Sequence, residues 1–279
     1  MTILRCGRRD LDISTTQVMG ILNVTPDSFS DAGSLYLRER LDLDKLLGKA
    51  REMVGCGASI LDVGGESTKP NAQPVSEQQE LDRVLPALEV LVKNIDAVIS
   101  IDTSNALLMR EASSLGAGML NDVRALEREG ALQAAVASKL PVCLMHMQGT
   151  PQTMQDAPTY NNVTSEVLAY LYYRADVCRQ QGIAKDQILL DPGFGFGKTL
   201  EQNLQLLKNT AQFVATGYPV LIGTSRKSMF AELLGREVDK RLAGGLATTA
   251  YAVLSGAAIV RVHDVEEAAD VVKVITQLI

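Results

Sequence analysis

The 279-residue chain has little of what metal-clamped or disulfide-stapled proteins require. Its four cysteines, Cys6, Cys56, Cys143 and Cys178, form no Cys-x-x-Cys pair, and His146 and His263 are its two histidines. Zinc sites of the common spacings are thereby excluded, and scattered thiols suit a reducing, cytoplasmic compartment. Positive charge is also short. With 27 Lys and Arg against 33 Asp and Glu, the net charge is -6. That excludes the broad basic field needed to coat nucleic acid or an anionic membrane, while leaving room for a small anion held by a few focused cations. Residues 1–12 are charged and lack the apolar core of a signal peptide. The uncharged stretch 242–260 is long enough to suggest a membrane span. Its Gly, Ala, Ser and Thr content, broken by Ser255-Gly256, reads instead as a buried helix followed by a buried strand.

No linker, charge block or low-complexity tract divides the sequence, so a single domain is expected over 1–279. What recurs is a rhythm of short apolar runs, each closed by a polar residue or glycine and followed by a helical stretch. The runs are 18–22 before Asn23, 59–61 before Asp62, 97–101 before Asp102 and 118–120 before Asn121. Four more follow: 141–145 before His146, 187–190 before Asp191, 219–222 before Gly223, and 257–260 before Arg261. Near-continuous apolar runs mark strands buried on both faces of a parallel sheet. Residues 77–92, 106–115 and 163–180 read as helices between them; Leu81, Val84, Leu85, Leu88, Leu91 and Val92 share one face. Strand–helix alternation repeated eight times predicts an α/β fold closed as a (β/α)₈ barrel, for which about 250 residues is typical. An open doubly wound sheet is the alternative. Residues 1–17 precede the first barrel strand and suggest a hairpin that caps the barrel floor.

Barrel enzymes carry their chemistry at the C-terminal ends of the strands. The run ends are polar at seven of eight positions, more than helix capping alone explains. The loop from Asn23 to Asp31 is long, polar and carries Phe29, which suits a lid or binding loop. The loop from Gly64 to Pro70 offers glycines plus Thr68 and Lys69, which suit an anion such as a diphosphate. Residues 191–199 imitate nucleotide motifs. Pro192 stands where a Walker loop needs its first glycine, and Lys198 where a dinucleotide fingerprint needs its last, so both fail. The glycines there are expected to shape a tight loop that keeps Asp191 exposed. Cations and serine in 223–228 open a helix and so suggest an anion site. Arg261 and His263, two apart, face the same side of an extended segment. Arg261 can equally be a structural ion-pair partner. His146 reads as structural.

At these residues the pattern resembles the bacterial dihydropteroate synthase family. The resemblance is carried by Met19-Gly-Ile-Leu-Asn-Val-Thr-Pro-Asp-Ser-Phe-Ser-Asp31, Asp62-Val-Gly-Gly-Glu-Ser-Thr-Lys-Pro70, Asp191-Pro-Gly-Phe-Gly-Phe-Gly-Lys198 and Ser225-Arg-Lys-Ser228. Ser100-Ile-Asp-Thr103, Asn121-Asp-Val123 and Arg261-Val-His263 match as well, in order from Met19 to His263. The resemblance implies a dimeric TIM barrel that joins 4-aminobenzoate to (7,8-dihydropterin-6-yl)methyl diphosphate, with magnesium as cofactor and sulfonamides as inhibitors. It further implies that Asp102, Asn121, Asp191 and Lys227 hold the pterin and that Asn23 ligates magnesium. Thr68, Lys69, Arg261 and His263 would meet the diphosphate; Phe29, Pro70, Lys227 and Ser228 would frame the aminobenzoate. Asp102, Lys227 and Arg261 are the expected catalytic groups. Lys69 stands where the family usually has Arg, Asn71 where Gly is common, and Ala32 where a second Gly is frequent. Two other readings are a methyltetrahydrofolate methyltransferase type of pterin barrel, and an inactive pterin-binding paralogue.

Overall fold

The computed structural model describes residues 3–26, 35–37, 40–67, 75–150, 153–154 and 157–279. Phe29, Thr68, Lys69 and Pro70 lie outside them, as do Ala32 and Asn71.

The expected barrel is present. Its eight parallel strands run in the order β10 (Ile188–Asp191), β9 (Val142–Met145), β8 (Met119–Asp122), β7 (Val98–Asp102), β6 (Ile60–Gly64), β3 (Gln17–Asn23), β12 (Ile259–Val262) and β11 (Leu221–Ile222). The ring closes where Leu190 bridges Val220, and Leu190 N donates to Pro219 O at 2.9 Å. Closure removes the sheet edges, and the near-continuous burial of every strand follows from a helix layer outside and side chains inside.

The helices begin where local chemistry permits. The helix Glu77–Asn94, two residues longer than the apolar pattern predicts, starts from a capping box in which Ser76 and Gln79 satisfy each other's backbone N–H. The helix Ala106–Leu115 starts from Asn105, whose side chain accepts from Leu107 N and Leu108 N. The helix Val163–Gln180 is capped by Asn162. Apolar faces of these helices and the outer faces of the strands form the main core, each Leu-sized side chain contributing roughly 1.5–3 kcal/mol.

A second cluster fills the N-terminal end of the barrel: Met19, Ile60, Val98, Met119, Cys143, Leu189, Leu221 and Ile259 from the strands, with Leu4, Cys6 and Ile13 laid across them. This is the floor cap. Its hairpin pairs β1 (Ile3–Cys6) with β2 (Arg9–Asp12), turning at Gly7-Arg8, so Ile13 falls just outside the second strand. The segment 242–260 resolves into a helix (Leu242–Leu254) and the strand β12. The helix expected to be buried is buried on one side only; Leu242, Tyr251 and Leu254 are exposed. Among the described residues no helix is long and apolar enough to cross a membrane.

Candidate active site

The barrel brings Asn23, Asp62, Asp102, Asn121, Asp191 and Arg261 to one end, because parallel strands point every C-terminus the same way. Register aligns them: Asp102 lies opposite Asn121 and Gly64, and Gly64 opposite Asn23.

Arg261 organises one side of this mouth. Its Nε donates to Asp62 Oδ2 at 2.6 Å and its Nη2 to Asp102 Oδ2 at 2.9 Å. Asp62 Oδ2 also accepts from Asn121 Nδ2 at 3.0 Å. Two carboxylates therefore share one guanidinium. Burial raises the pKa of Asp102 to about 8, and the charge of Asp62 pushes the same way, against the pull of Arg261. Burial opposes the charge on Arg261, but Asp62 and Asp102 outweigh it and hold the guanidinium protonated more firmly than usual. The ion-pair reading of Arg261 is thus correct as geometry, and it coexists with a place at the mouth.

Asp191 and Lys227 form the other side. Asp191 is 7% exposed, a correction to the expectation that the glycine loop keeps it open to solvent. Its Oδ1 accepts from Gly193 N at 2.7 Å, drawing the loop over it. Gly193 has φ +70°, and a Cβ there would stand 1.9 Å from His146 O, so the loop closes this tightly only with glycine. Burial raises the Asp191 pKa, with Lys227 and Gly193 N opposing. Burial lowers Lys227 to about 8, with Asp191 opposing. Lys227 Nζ donates to Phe194 O and lies 4.3 Å from the centre of the Phe196 ring.

The flanks differ in part from the sequence reading. A Cβ at Gly65 would meet Val84 Cγ2 at 2.7 Å and Glu80 Cγ at 3.2 Å, so packing against the helix Glu77–Asn94 itself favours glycine here. Residues 223–228, expected as a helix-terminus anion site, lead into only a short helix. The helix Met229–Leu234 is a turn and a half, Ser228 makes no capping bond, and Arg226 is turned away to Asp264, with Nε to Oδ2 at 3.1 Å. Ser228 itself is exposed at the rim. His263 does lie at the mouth's edge, its Nδ1 3.1 Å from Ser225 Oγ, which also accepts from His263 N at 3.1 Å.

Four contributors escaped the sequence reading as site residues. Asp62 was visible only as the polar end of the second apolar run; the structure buries it fully, a costly placement that demands a partner. Lys198, 3% exposed, donates to His146 Nδ1, Gly193 O and Phe196 O and so locks the glycine loop. Glu66 and Arg124 pair in a two-toothed contact at 2.9 and 3.1 Å, tying the foot of the second loop to the loop after β8. Nothing in their spacing announces that pair.

Among the described residues no cluster of three or more His, Cys, Asp or Glu side chains forms a metal cage. Asn23 Oδ1 and Asp102 face the same point beside Gly64: a Cβ on that glycine would lie 3.6 Å from the first and 3.4 Å from the second's Cβ. One amide oxygen with a nearby carboxylate suits magnesium, a hard cation that completes its shell with substrate phosphate oxygens and water.

Fold and mouth together define a (β/α)₈-barrel enzyme with a mixed-charge polar site at the C-terminal ends of its strands. The family described as "Pterin binding enzyme" matches residues 19–263. The chain is 49% identical over 271 residues to the dihydropteroate synthase of Haemophilus influenzae, covering 97% of each. It superimposes on the Yersinia pestis dihydropteroate synthase in its sulfonamide drug complex with a TM-score of 0.95 at 44% identity, covering 99% of this chain and 98% of that one. It superimposes on Xanthomonas albilineans dihydropteroate synthase with 4-aminobenzoic acid with a TM-score of 0.91 at 42% identity, at the same coverage. The chain belongs to the pterin binding enzymes and, within them, to the dihydropteroate synthase family.

Proposed function

We infer that this protein is a transferase that condenses (7,8-dihydropterin-6-yl)methyl diphosphate with 4-aminobenzoate, giving 7,8-dihydropteroate and diphosphate. The observation that carries the site assignment is the meeting of Asp102, Asn121, Asp191 and Lys227 around one mouth that also holds Arg261. The relatives that crystallised with a sulfonamide and with 4-aminobenzoic acid support the same substrates and inhibitors here.

The residue chemistry fits the assignment. The pterin edge offers adjacent N–H donors, which the Asp191 carboxylate accepts as a pair. Asn121 both donates and accepts, and Lys227 donates to ring acceptors. Arg261 and His263, with Thr68 and Lys69, would draw off negative charge as the diphosphate leaves. Magnesium, held by Asn23 and the diphosphate oxygens, would add Lewis-acid charge neutralisation. The methylene carbon left electron-poor is stabilised by the Asp102 carboxylate. The aniline nitrogen of 4-aminobenzoate, which Phe29, Pro70, Lys227 and Ser228 would frame, is already nucleophilic, so positioning carries much of the rate. No covalent intermediate on the protein is needed.

The proposed assembly is a homodimer. Exposed Leu233, Leu234, Val238, Leu242, Tyr251 and Leu254 concentrate apolar surface in one part of the chain, which supports it. Four unpaired cysteines support a reducing cytoplasm. The deciding experiment incubates the protein with both substrates, with and without magnesium. Dihydropteroate and diphosphate should appear in equal amounts and only with metal; diphosphate release without 4-aminobenzoate incorporation would contradict the transfer.

A further inference from the structure

Asp62 lies in the middle of β6 with 0% exposure, a carboxyl group inside an otherwise apolar strand. Such a carboxylate is costly, and an apolar residue of similar size would serve the barrel core as well. Its hydrogen bonding is lopsided. Oδ2 takes both donors, Arg261 Nε at 2.6 Å and Asn121 Nδ2 at 3.0 Å. Oδ1 is buried and has no hydrogen-bond partner among the described residues; Ser100, opposite it in register on β7, does not donate to it. A carboxylate that tied strands together would use both oxygens. This one uses a single oxygen, on two groups that both lead to the mouth.

The guanidinium geometry follows. Asp62 takes the Nε edge and Asp102 takes Nη2, while Nη1 has no acceptor among the described residues. We propose that Asp62 is a positioning residue for the transfer, anchoring the Nε edge of Arg261 and the amide of Asn121 so that Arg261 presents its Nη1 end to the leaving diphosphate. The proposal rests on the reading of Arg261 as the cation that meets this anion. Through Arg261 it acts on the rate of diphosphate departure; through Asn121 it acts on pterin affinity.

The unpartnered Oδ1 makes the test clean. In Asp62→Asn the amide nitrogen can occupy that position while the oxygen keeps both donors, so charge is lost and geometry is kept. Asp62→Ala loses both. Single-turnover rates at saturating substrates, with and without Arg261→Ala, separate the roles. Asp62→Ala should slow the step about 100-fold, the scale of a reacting group misplaced by roughly 1 Å. Asp62→Asn should restore about tenfold of that loss, since the hydrogen bonds remain. In the Arg261→Ala background the Asp62→Ala step should cost less than about 3-fold in rate, while its rise in KM for the pterin substrate persists through Asn121. Losses that multiply across the two backgrounds would mark a merely structural aspartate and overturn the proposal, as would a wild-type rate in Asp62→Ala. If Asp62→Ala does not fold, the same cycle with Asp62→Asn decides by the same criterion. A wild-type rate in Arg261→Ala alone would sink the reading of Arg261, and the role of Asp62 with it.

Discussion

Lys198 Nζ lies 3.0 Å from His146 Nδ1 beneath the mouth, where both side chains are buried. Burial, and then the charge of Lys198, push the His146 pKa from 6.5 down to about 3, so its Nδ1 serves as a neutral acceptor. A histidine depressed in the fold costs stability as pH falls below its unfolded value, because only the unfolded chain takes up the proton. The variant His146→Gln keeps an acceptor for Lys198 and cannot titrate. Between pH 7 and pH 5 the wild type should therefore lose about 2 kcal/mol more unfolding free energy than the variant. Urea titrations at the two pH values check this; parallel losses would contradict it.

Asp191 should be indispensable for pterin affinity. Asp191→Ala removes two charge-assisted hydrogen bonds and leaves Lys227 without its counter-charge, a loss of about 3 kcal/mol or more, or at least 100-fold in Kd. Calorimetric titration with a pterin, alongside circular dichroism to confirm the fold, measures it. Wild-type affinity in the variant would refute the assignment.

The pH profile should be narrow. Asp102 must lose its proton to accept from the pterin and face the electron-poor carbon, and its pKa is raised to about 8 by burial and by Asp62. Lys227 must keep its proton to donate, and burial lowers it to about 8. A bell-shaped kcat/KM centred near pH 8 follows, with apparent values that belong to the interacting pair. Lys227→Arg should carry the alkaline limb upward, since guanidinium stays charged. A flat profile from pH 6 to 10 would contradict it.

Sulfonamides resemble 4-aminobenzoate in shape and charge and should compete with it. Apparent KM for 4-aminobenzoate should rise with drug while the maximal rate stays fixed. Unchanged turnover at high drug would show that the 4-aminobenzoate site proposed for this chain does not take the drug.

The barrel was legible because burial on both strand faces leaves an unmistakable trace: apolar runs closed by polar residues, at Asn23, Asp102, Asn121 and Asp191. The helices 106–115 and 163–180 were legible from their apolar pattern, and the structure starts them from Asn105 and Asn162, whose capping depends on neighbours a few residues away. What depends on distant partners was not legible. Asp191 looked exposed because nothing local reveals that Gly193 and Lys198 fold the loop over it. Arg226 looked like an anion ligand until Asp264, 38 residues later, claimed it. Gly65 looked like backbone freedom, and nothing local reveals that Val84 on the next helix crowds it as well.

The most direct measurement is a crystal structure of the protein soaked with a pterin. The ring should lie across the barrel mouth, its amino-pyrimidine edge on Asp191 and Asn121, with Lys227 on its acceptor side and Asp102 within hydrogen-bond reach. Electron density for the pterin anywhere else on the molecule, with those four side chains untouched, would contradict the assignment of this mouth as the active site.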